Sequence, residues 1–205
     1  MTPVPPIANN RRNFIIKAAA ATVMASPLLV ACAGPAQRIV EHHYGMSLEL
    51  AALPLPEGKV VTLDRVTGQG IFAGRPIVEM INDAPAQYVE TRSKLWHSSP
   101  ADLLRDAAIK GWNASSGRMV AASASTSRAE LKLDLDLIGI GFDMNGAGFI
   151  NLRATLSTSD RKVLINGHYD ATGPSAGDLN SSVLSIEKAA ENALNALAAD
   201  IAAAI

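Results

Sequence analysis

The chain has 205 residues, a formal net charge of −1, 48% hydrophobic residues and a single cysteine. This length suits one globular domain, and one cysteine excludes an intramolecular disulfide or a thiolate zinc cage. A near-neutral charge with only 4% aromatic residues argues against nucleic-acid binding, which depends on a basic surface and usually on stacking rings.

The N-terminal block is typical of a bacterial export signal. Residues 11–32 read RRNFIIKAAAATVMASPLLVAC, with two arginines, a short apolar run and small residues before Cys32. The apolar run from Ala18 to Ala31 is too short to span a membrane, which takes about 20 residues. We therefore predict a signal peptide over 1–31 that is cleaved between Ala31 and Cys32.

The last four residues of this block predict a lipid anchor. Leu29-Val30-Ala31-Cys32 matches the lipobox of bacterial lipoproteins, in which a diacylglyceryl group is attached to the cysteine thiol before cleavage. The alternative, a buried core cysteine in a chance apolar run, leaves the neighbouring charge and the position of the run unexplained. Acyl chains on Cys32 would hold the mature protein stably at a membrane.

Two further features of this block concern the export route and the destination. Arg11 and Arg12, with Phe14 and Lys17 in register, resemble the twin-arginine export signal and predict that route. The residue after the cysteine is Ala33 and not an aspartate. By the retention rule of enteric lipoproteins, we expect the protein at the periplasmic face of the outer membrane.

Apolar periodicity divides the rest of the chain into an acylated tether over 32–43 and a single domain over 44–205. The predicted order is four strands, a helix, four strands and a second helix. We expect the strands at 44–53, 59–66, 75–81, 87–94, 118–125, 130–144, 147–157 and 162–170, and the helices at 99–111 and 182–205. This order predicts an α+β fold, a mostly antiparallel sheet of about seven to eight strands with two helices packed on one face.

Three short motifs predict local details of these elements. Ser99 precedes Pro100 and Asp102, an order typical of a helix N-terminus. The apolar alternation of the sixth strand shifts by one residue at Leu137-Ile138, which predicts a β-bulge. The dipeptide Asn145-Gly146 predicts a tight turn between antiparallel strands.

Two helices can cover only one face of such a sheet, so the other face or its edge loops should meet solvent, a partner or a ligand. Ile138 and Ile140 are candidates for this open face if they point away from the helices. Trp96 and Trp112 bracket the first helix and are interpreted as core aromatics, with interface anchors as the alternative. The apolar stripe of the second helix is also interpreted as core, because its polar face lacks the lysines and arginines of a membrane-surface helix.

The sequence lacks the motifs of phosphate-binding loops, α/β-hydrolases and zinc proteases. We therefore expect a non-enzymatic protein with no metal or cofactor. His42 and His43 fall in the tether, and as strand neighbours they would point to opposite faces and could not share a metal. His168 with Asp170 and a serine could form a hydrolase arrangement, but this spacing is generic and Asp170 is better interpreted as part of a polar strand face.

The middle of the chain carries a distinctive order of side chains. Gly74-Arg75-Pro76-Ile77-Val78 is followed by Tyr88 across a turn, and then by Leu95-Trp96-His97-Ser98-Ser99-Pro100 running into Leu103-Leu104. This order resembles the core of a known family, the auxiliary lipoproteins of ABC-type transport systems of the paraquat-inducible, intermembrane transport type. The lipobox and a first strand that begins at Tyr44 extend the resemblance over most of the mature chain.

The resemblance implies a non-enzymatic component of a lipid-transport machine. Such systems pair an ATPase and a permease with a mammalian-cell-entry-domain protein that bridges the periplasm, and the lipoprotein would receive this bridge at the outer membrane. The resemblance implies no catalytic residue. The alternatives are a ligand-binding or outer-membrane assembly lipoprotein and, from another class, a periplasmic hydrolase. A bound phospholipid and self-association stay open as further expectations.

Overall fold

A computed structural model describes residues 39–53, 55–57, 59–114, 119–121 and 130–205. Over these residues the chain forms eight strands and two α-helices in the predicted order. The strands are β1 His42–Tyr44, β2 Val61–Gly68, β3 Pro76–Asp83, β4 Ala86–Trp96, β5 Met119–Ala121, β6 Leu131–Asp143, β7 Gly148–Thr158 and β8 Val163–Thr172. The helices are α1 Pro100–Ala114 and α2 Leu179–Ala204, and a short 3-10 turn covers Gly70–Ala73. Val40–Ile205 form one compact unit, and the rest of the chain up to Ile39 lies almost wholly outside the described residues.

Strand β6 is the centre of the sheet. One of its edges pairs antiparallel with β7 along Leu131–Phe142, and β7 pairs antiparallel with β8. Its other edge pairs parallel with β2 over Leu131–Leu137 and then parallel with β3 at Phe142 and Asp143. Strand β5 lies beside β2, whereas β4 and then β1 continue the sheet beyond β3. The predicted α+β fold with a mostly antiparallel sheet and two helices is confirmed, and the parallel ladders are an addition that the sequence pattern does not indicate.

The predicted bulge in β6 is confirmed. The pairing with β7 shifts between Leu137 and Gly139, so that Ile138 is the extra residue. Leucines at alternate positions before the bulge are buried, and the bulge returns Ile140 to the same buried side. Ile140 is therefore wrong as a candidate for the open face, because it belongs to the hydrophobic core.

Both helices pack on the sheet around one hydrophobic core. Trp96 and Trp112 are fully buried within it, as their interpretation as core aromatics predicts. The apolar stripe of α2 is buried as well and contributes Val183, Ile186, Ala190, Leu194, Leu197 and Ile201. The last residue of that stripe, Ile205, is exposed. The helix is thus held by the core and not by a membrane-facing stripe.

Polar residues at both helix starts satisfy backbone N–H groups that have no partner within the helix. Ser99 accepts a hydrogen bond at its Oγ from the backbone N–H of Asp102 at 3.2 Å and donates one to the Asp102 carboxylate at 2.6 Å. This confirms the predicted start of α1. Helix α2 begins three residues before its predicted start, because Asp178 caps it by accepting from the backbone N–H of Ser181 at 3.1 Å.

The predicted first strand is largely wrong. Only His42–Tyr44 pair with β4, whereas residues 45–53, here called the strap, are extended and pair with no strand among the described residues. Side chains of α2 replace the missing strand partner: Ser47, Glu49 and Ala51 donate their backbone N–H groups to Glu187, Glu191 and Asn195 at 2.7, 2.8 and 3.0 Å. The match is geometric, because two extended residues advance about 6.6 Å and one helical i to i+4 step advances about 6 Å.

The strap also contributes to the core. Its leucines at positions 48, 50 and 53 are buried and belong to the same hydrophobic cluster as the two helices. Gly111 of α1 lies against it, since a Cβ atom at that position would come within 3.0 Å of the Leu50 side chain and 3.2 Å of the Leu48 carbonyl oxygen. The alternating leucines explain the strand prediction, although the neighbours of this segment are helices.

Candidate functional site

Most of the residues that carry the family resemblance meet where the base of the β3–β4 hairpin leads into α1, here called the joint. Arg75 donates from Nε to the carbonyl oxygen of Trp96 at 3.0 Å and accepts at its own carbonyl from the Trp96 N–H at 2.7 Å. A further guanidinium nitrogen of Arg75 lies 3.1 Å from Nδ1 of His43, which ties β1 to the same joint. Ile77 and Leu104 are fully buried beside it. Most of this pattern therefore holds β1, β3 and β4 together just before the start of α1 and stabilises the fold.

One residue of the pattern lies on the surface instead. Tyr88 of β4 is 39% exposed and forms an aromatic patch with Phe72 and Phe149. The Phe72 and Tyr88 ring centroids lie 5.3 Å apart in an edge-to-face arrangement, and those of Tyr88 and Phe149 lie 6.2 Å apart. Phe149 pairs with Gly141, whereas its neighbour in sequence pairs with the buried Ile140. Because successive strand residues point to opposite faces, Phe149 lies on the face opposite α1 and α2, whereas Phe72 also packs against the hydrophobic core.

Glycine in β6 makes room for this aromatic patch. A Cβ atom at Gly141 would lie 3.1 Å from the Phe149 ring and 2.2 Å from the carbonyl oxygen of Val78. The close approach of β3, β6 and the ring thus requires the absence of a side chain at this position. Phe149 itself is buried and Phe72 is half-buried, so that Tyr88 is the most exposed member of the aromatic patch.

The end of the β3–β4 hairpin extends the uncovered apolar surface. In residues 81–89, here called the arm, Ile81 is 41% and Val89 is 45% exposed. Tyr88 pairs with Met80 across the hairpin and Val89 pairs with Glu79, so that the two neighbouring side chains point to opposite faces of the arm. The arm therefore presents apolar groups on both faces, as expected of a segment that a partner covers.

The rest of the open face is polar. Asp136 of β6 accepts hydrogen bonds from the Thr67 hydroxyl at 2.6 Å and from Nε of Arg153 at 3.1 Å. These bonds, that of Thr67 first, hold the pKa of the Asp136 carboxyl below its usual value. Burial, followed by the nearby carboxylate of Asp64, raises the pKa of Asp134. The interpretation of these aspartates as a polar strand face agrees with their positions in β6.

The histidines singled out in the sequence lie on two separate strands, the adjacent pair in β1 and His168 in β8. His42 and His43 are exposed in β1 and not in the tether as predicted, because β1 begins at His42. His168 and Asp170 are both exposed on β8, where the structure describes no hydrogen bond between them or from either to a serine. Among the described residues there is also no group of three or more metal-ligating side chains.

The predicted lipidation and export residues lie outside the part of the chain that the structure describes. These are Cys32, the cleavage residue Ala31, and the paired Arg11 and Arg12. Within the described ranges, neither helix combines the length and apolar character that crossing a bilayer requires. The anchor and the export route stay predictions from the sequence.

The arm and the strap contacts are the surface features that sequence reasoning missed. The hairpin itself is predictable from its strand and turn residues, but the pattern does not show that its end reaches beyond the neighbouring strands. Tyr88 was singled out only through the family resemblance. The contacts of Glu187, Glu191 and Asn195 have a signal in their spacing of four, but on a helix this spacing marks any one face.

Comparison with known proteins supports the fold. No protein-family model matches the chain, and no curated protein matches it at a significant level. The crystal structure of a Xanthomonas campestris protein described as family DUF330 has a TM-score of 0.63 and is 20% identical, over 76% of this chain and 92% of that one. A crystal structure described as an uncharacterized protein has a TM-score of 0.61 at 18% identity, over 80% of this chain and 97% of that one.

A third similarity is weaker. The structure of a PelC dodecamer from Paraburkholderia phytofirmans has a TM-score of 0.41 and is 15% identical, over 68% of this chain and 91% of that one. By the first comparison, the chain shares its fold with a protein of family DUF330. At these identities the similarity concerns the fold alone.

Proposed function

We propose that the protein is a lipid-anchored auxiliary component of an ABC-type intermembrane lipid transport system. It acts without catalysis at the periplasmic face of the outer membrane and docks a mammalian-cell-entry-domain protein. Three features support this proposal: the lipobox that ends at Cys32, the family-like pattern around Arg75 and Trp96, and the uncovered surface of the sheet. Energy for transport comes from the partner ATPase.

The observation that carries the proposal is the exposed apolar arm next to the aromatic patch. Large apolar side chains that remain uncovered in contiguous groups mark interaction sites, and tyrosine is enriched among residues that dominate binding energy. Tyr88 combines both properties, since its ring packs between Phe72 and Phe149 and its outer part stays open. A partner that covers the arm gains a rigid, pre-positioned ring at little cost in side-chain entropy.

The experiment measures binding to a purified mammalian-cell-entry-domain protein from the same organism. Tyr88→Ala removes the open ring, and Val89→Lys places a charge on the other face of the arm while leaving the aromatic patch intact. Each variant should weaken binding by about tenfold or more, as truncation of central interface residues does. Val163→Lys is the matched control, because Val163 is 55% exposed on β8, away from the arm.

Two outcomes oppose the proposal. If both arm variants keep their melting temperature and bind as tightly as the native protein, the arm is not the docking surface. The second outcome concerns catalysis. A non-enzymatic role predicts that His168→Ala leaves envelope integrity intact in a complementation assay. Loss of function in a stably folded His168→Ala protein, with normal arm variants, would favour the hydrolase alternative.

A further inference from the structure

A shallow apolar groove lies where β1 and the strap meet the first turns of α2. The groove has a volume of about 470 Å³, and its lining includes Tyr44, Met46, Val183 and Leu184 together with Glu187. Leu184 is 64% exposed in the second turn of α2, whereas Leu194 and Leu197 of the same helix are buried. The groove itself has no lining residue in the aromatic patch or the arm.

The groove continues along the molecule into two neighbouring depressions. The first, of about 430 Å³, shares Tyr44 and Asn180 with the groove. The second, of about 220 Å³, shares Lys94, Asp178 and Leu179 with the first. The second depression is also lined by Met144, which is 66% exposed. The surface thus forms one path with an exposed apolar side chain towards each end.

The charges along this path are mostly negative. Among the described residues, four carboxylates line it, from Glu79, Asp143, Asp178 and Glu187, together with one ammonium group, that of Lys94. Lys188 follows one turn after Leu184 on α2, but its Nζ atom binds the Glu191 carboxylate at 2.7 Å. Hydrogen bonds from the Ser181 hydroxyl and backbone N–H keep the pKa of Asp178 low, so that this carboxylate stays ionised. His42 also lines the path and adds positive charge only when protonated.

We propose that this path docks a basic amphipathic helix of a partner protein. An apolar groove with an acidic border complements a helix that carries leucine-like residues on one face and lysine or arginine beside them. The lining residues Asn180 to Glu187 span about 10 Å of α2, which corresponds to about two turns of a bound helix. An anionic lipid surface does not fit, because the carboxylates would repel it.

The test uses synthetic helical peptides and the protein purified in detergent. The first peptide has about 15 residues, with leucine on one face and lysine on the other, and the second has glutamate in place of each lysine. We expect the basic peptide to bind about tenfold or more tightly than the acidic one in fluorescence anisotropy, with weaker binding at about 0.5 M salt. Vesicles of phosphatidylglycerol and phosphatidylethanolamine are measured in parallel.

Variants then locate the binding surface. Leu184→Lys should weaken binding of the basic peptide by about tenfold, because it removes an apolar contact and adds a like charge. Leu184→Ser tests the apolar contact alone and should lose a smaller part of the affinity. Val163→Lys makes the same change of charge on β8 and should bind as the native protein does. The exposure of Leu184 means that neither replacement disturbs the core.

The outcomes separate the occupants. Equal affinity for the two peptides overturns the role of the carboxylates, and equal losses in Leu184→Lys and Val163→Lys overturn the location. A protein that binds vesicles but neither peptide, and whose vesicle binding is abolished by Leu184→Ser, overturns the proposal, because the groove then contacts a membrane. The Leu184 variants leave the arm unchanged, so that their result stands or falls separately from the docking of the mammalian-cell-entry partner.

Discussion

Replacing Glu191 with alanine should loosen the strap while leaving the sheet intact. Glu191 is only 7% exposed, and both of its carboxylate oxygens have partners. One accepts from the backbone N–H of Glu49 in the strap at 2.8 Å, and the other accepts from Nζ of Lys188 at 2.7 Å. Glu191→Ala removes both acceptors at once and leaves the two donors to water.

The expected loss follows from these two contacts. A hydrogen bond to a charged acceptor contributes about 1.5 to 3 kcal/mol, and the bond from Glu49 belongs at the lower end because it is only partly buried. The pair with Lys188 adds little, since the lysine is exposed. The free energy of unfolding should therefore fall by about 2 kcal/mol, which corresponds to about 4 to 8 °C in melting temperature for a domain of this size.

Thermal and urea denaturation followed by circular dichroism measure this loss, and amide hydrogen exchange locates it. The strap amides of Ser47, Glu49 and Ala51 should exchange faster in Glu191→Ala, whereas those of β6 and β7 should keep their order of protection. Glu191→Gln is the matched control. It retains a side-chain oxygen for the Glu49 N–H and should lose less than half as much stability.

Equal losses in the alanine and glutamine variants would refute the reasoning, because the acceptor for the strap would then contribute nothing. A loss below about 0.5 kcal/mol in Glu191→Ala would refute it as well, since a surface substitution without specific contacts gives that value. Faster exchange across the whole sheet would show that the residue supports the core and not the strap.

Three further substitutions test separate parts of the molecule. Burial raises the pKa of Glu187 in the folded state, so that the free energy of unfolding falls as the pH rises through this pKa. Glu187→Gln should therefore stabilise the protein at neutral pH and have little effect at about pH 3, as measured by denaturation. Gly141→Ala should lower the free energy of unfolding by about 3 kcal/mol in the same assay, because the new Cβ atom would lie 2.2 Å from the carbonyl oxygen of Val78. Cys32→Ser should abolish acylation, measured as the incorporation of radiolabelled palmitate, and leave the precursor unprocessed or soluble.

Each of these substitutions has a contradicting outcome. A stability difference for Glu187→Gln that is the same at both pH values would show that the ionisation of this residue is not the cause. A Gly141→Ala protein as stable as the native one would mean that β3 can move away from β6 at no cost. Palmitate that still enters Cys32→Ser would place the lipid on another residue.

The family-like pattern identified residues that stabilise the joint, but it identified little of the candidate docking surfaces. Arg75, Trp96 and Leu104 could be recognised in the sequence, and the structure brings them together between the hairpin and α1. The docking candidates could not be recognised in this way. Val89 and Leu184 look like ordinary apolar residues in a strand and a helix, and their exposure depends on which neighbours happen to be present.

The sequence by itself determined the elements and their local details. The alternation in β6 and its shift at Ile138 are properties of neighbouring residues, and so is the cap that Ser99 provides for α1. Such features depend on periods of two or 3.6 residues and on side chains that reach only a few positions along the chain. They can therefore be predicted without knowing what lies opposite.

Only the tertiary structure decided what each element packs against. The strap has the alternation of a strand, but its N–H groups bond to side chains of α2 because a helix, and not a sheet edge, lies beside it. Strands β2 and β3 share one edge of β6 in parallel, a pairing that leaves no mark on either sequence. The physical reason is that free backbone N–H groups or an apolar face show only that a segment needs hydrogen-bond acceptors or apolar contacts. The path of the whole chain decides which other segment of the protein supplies them.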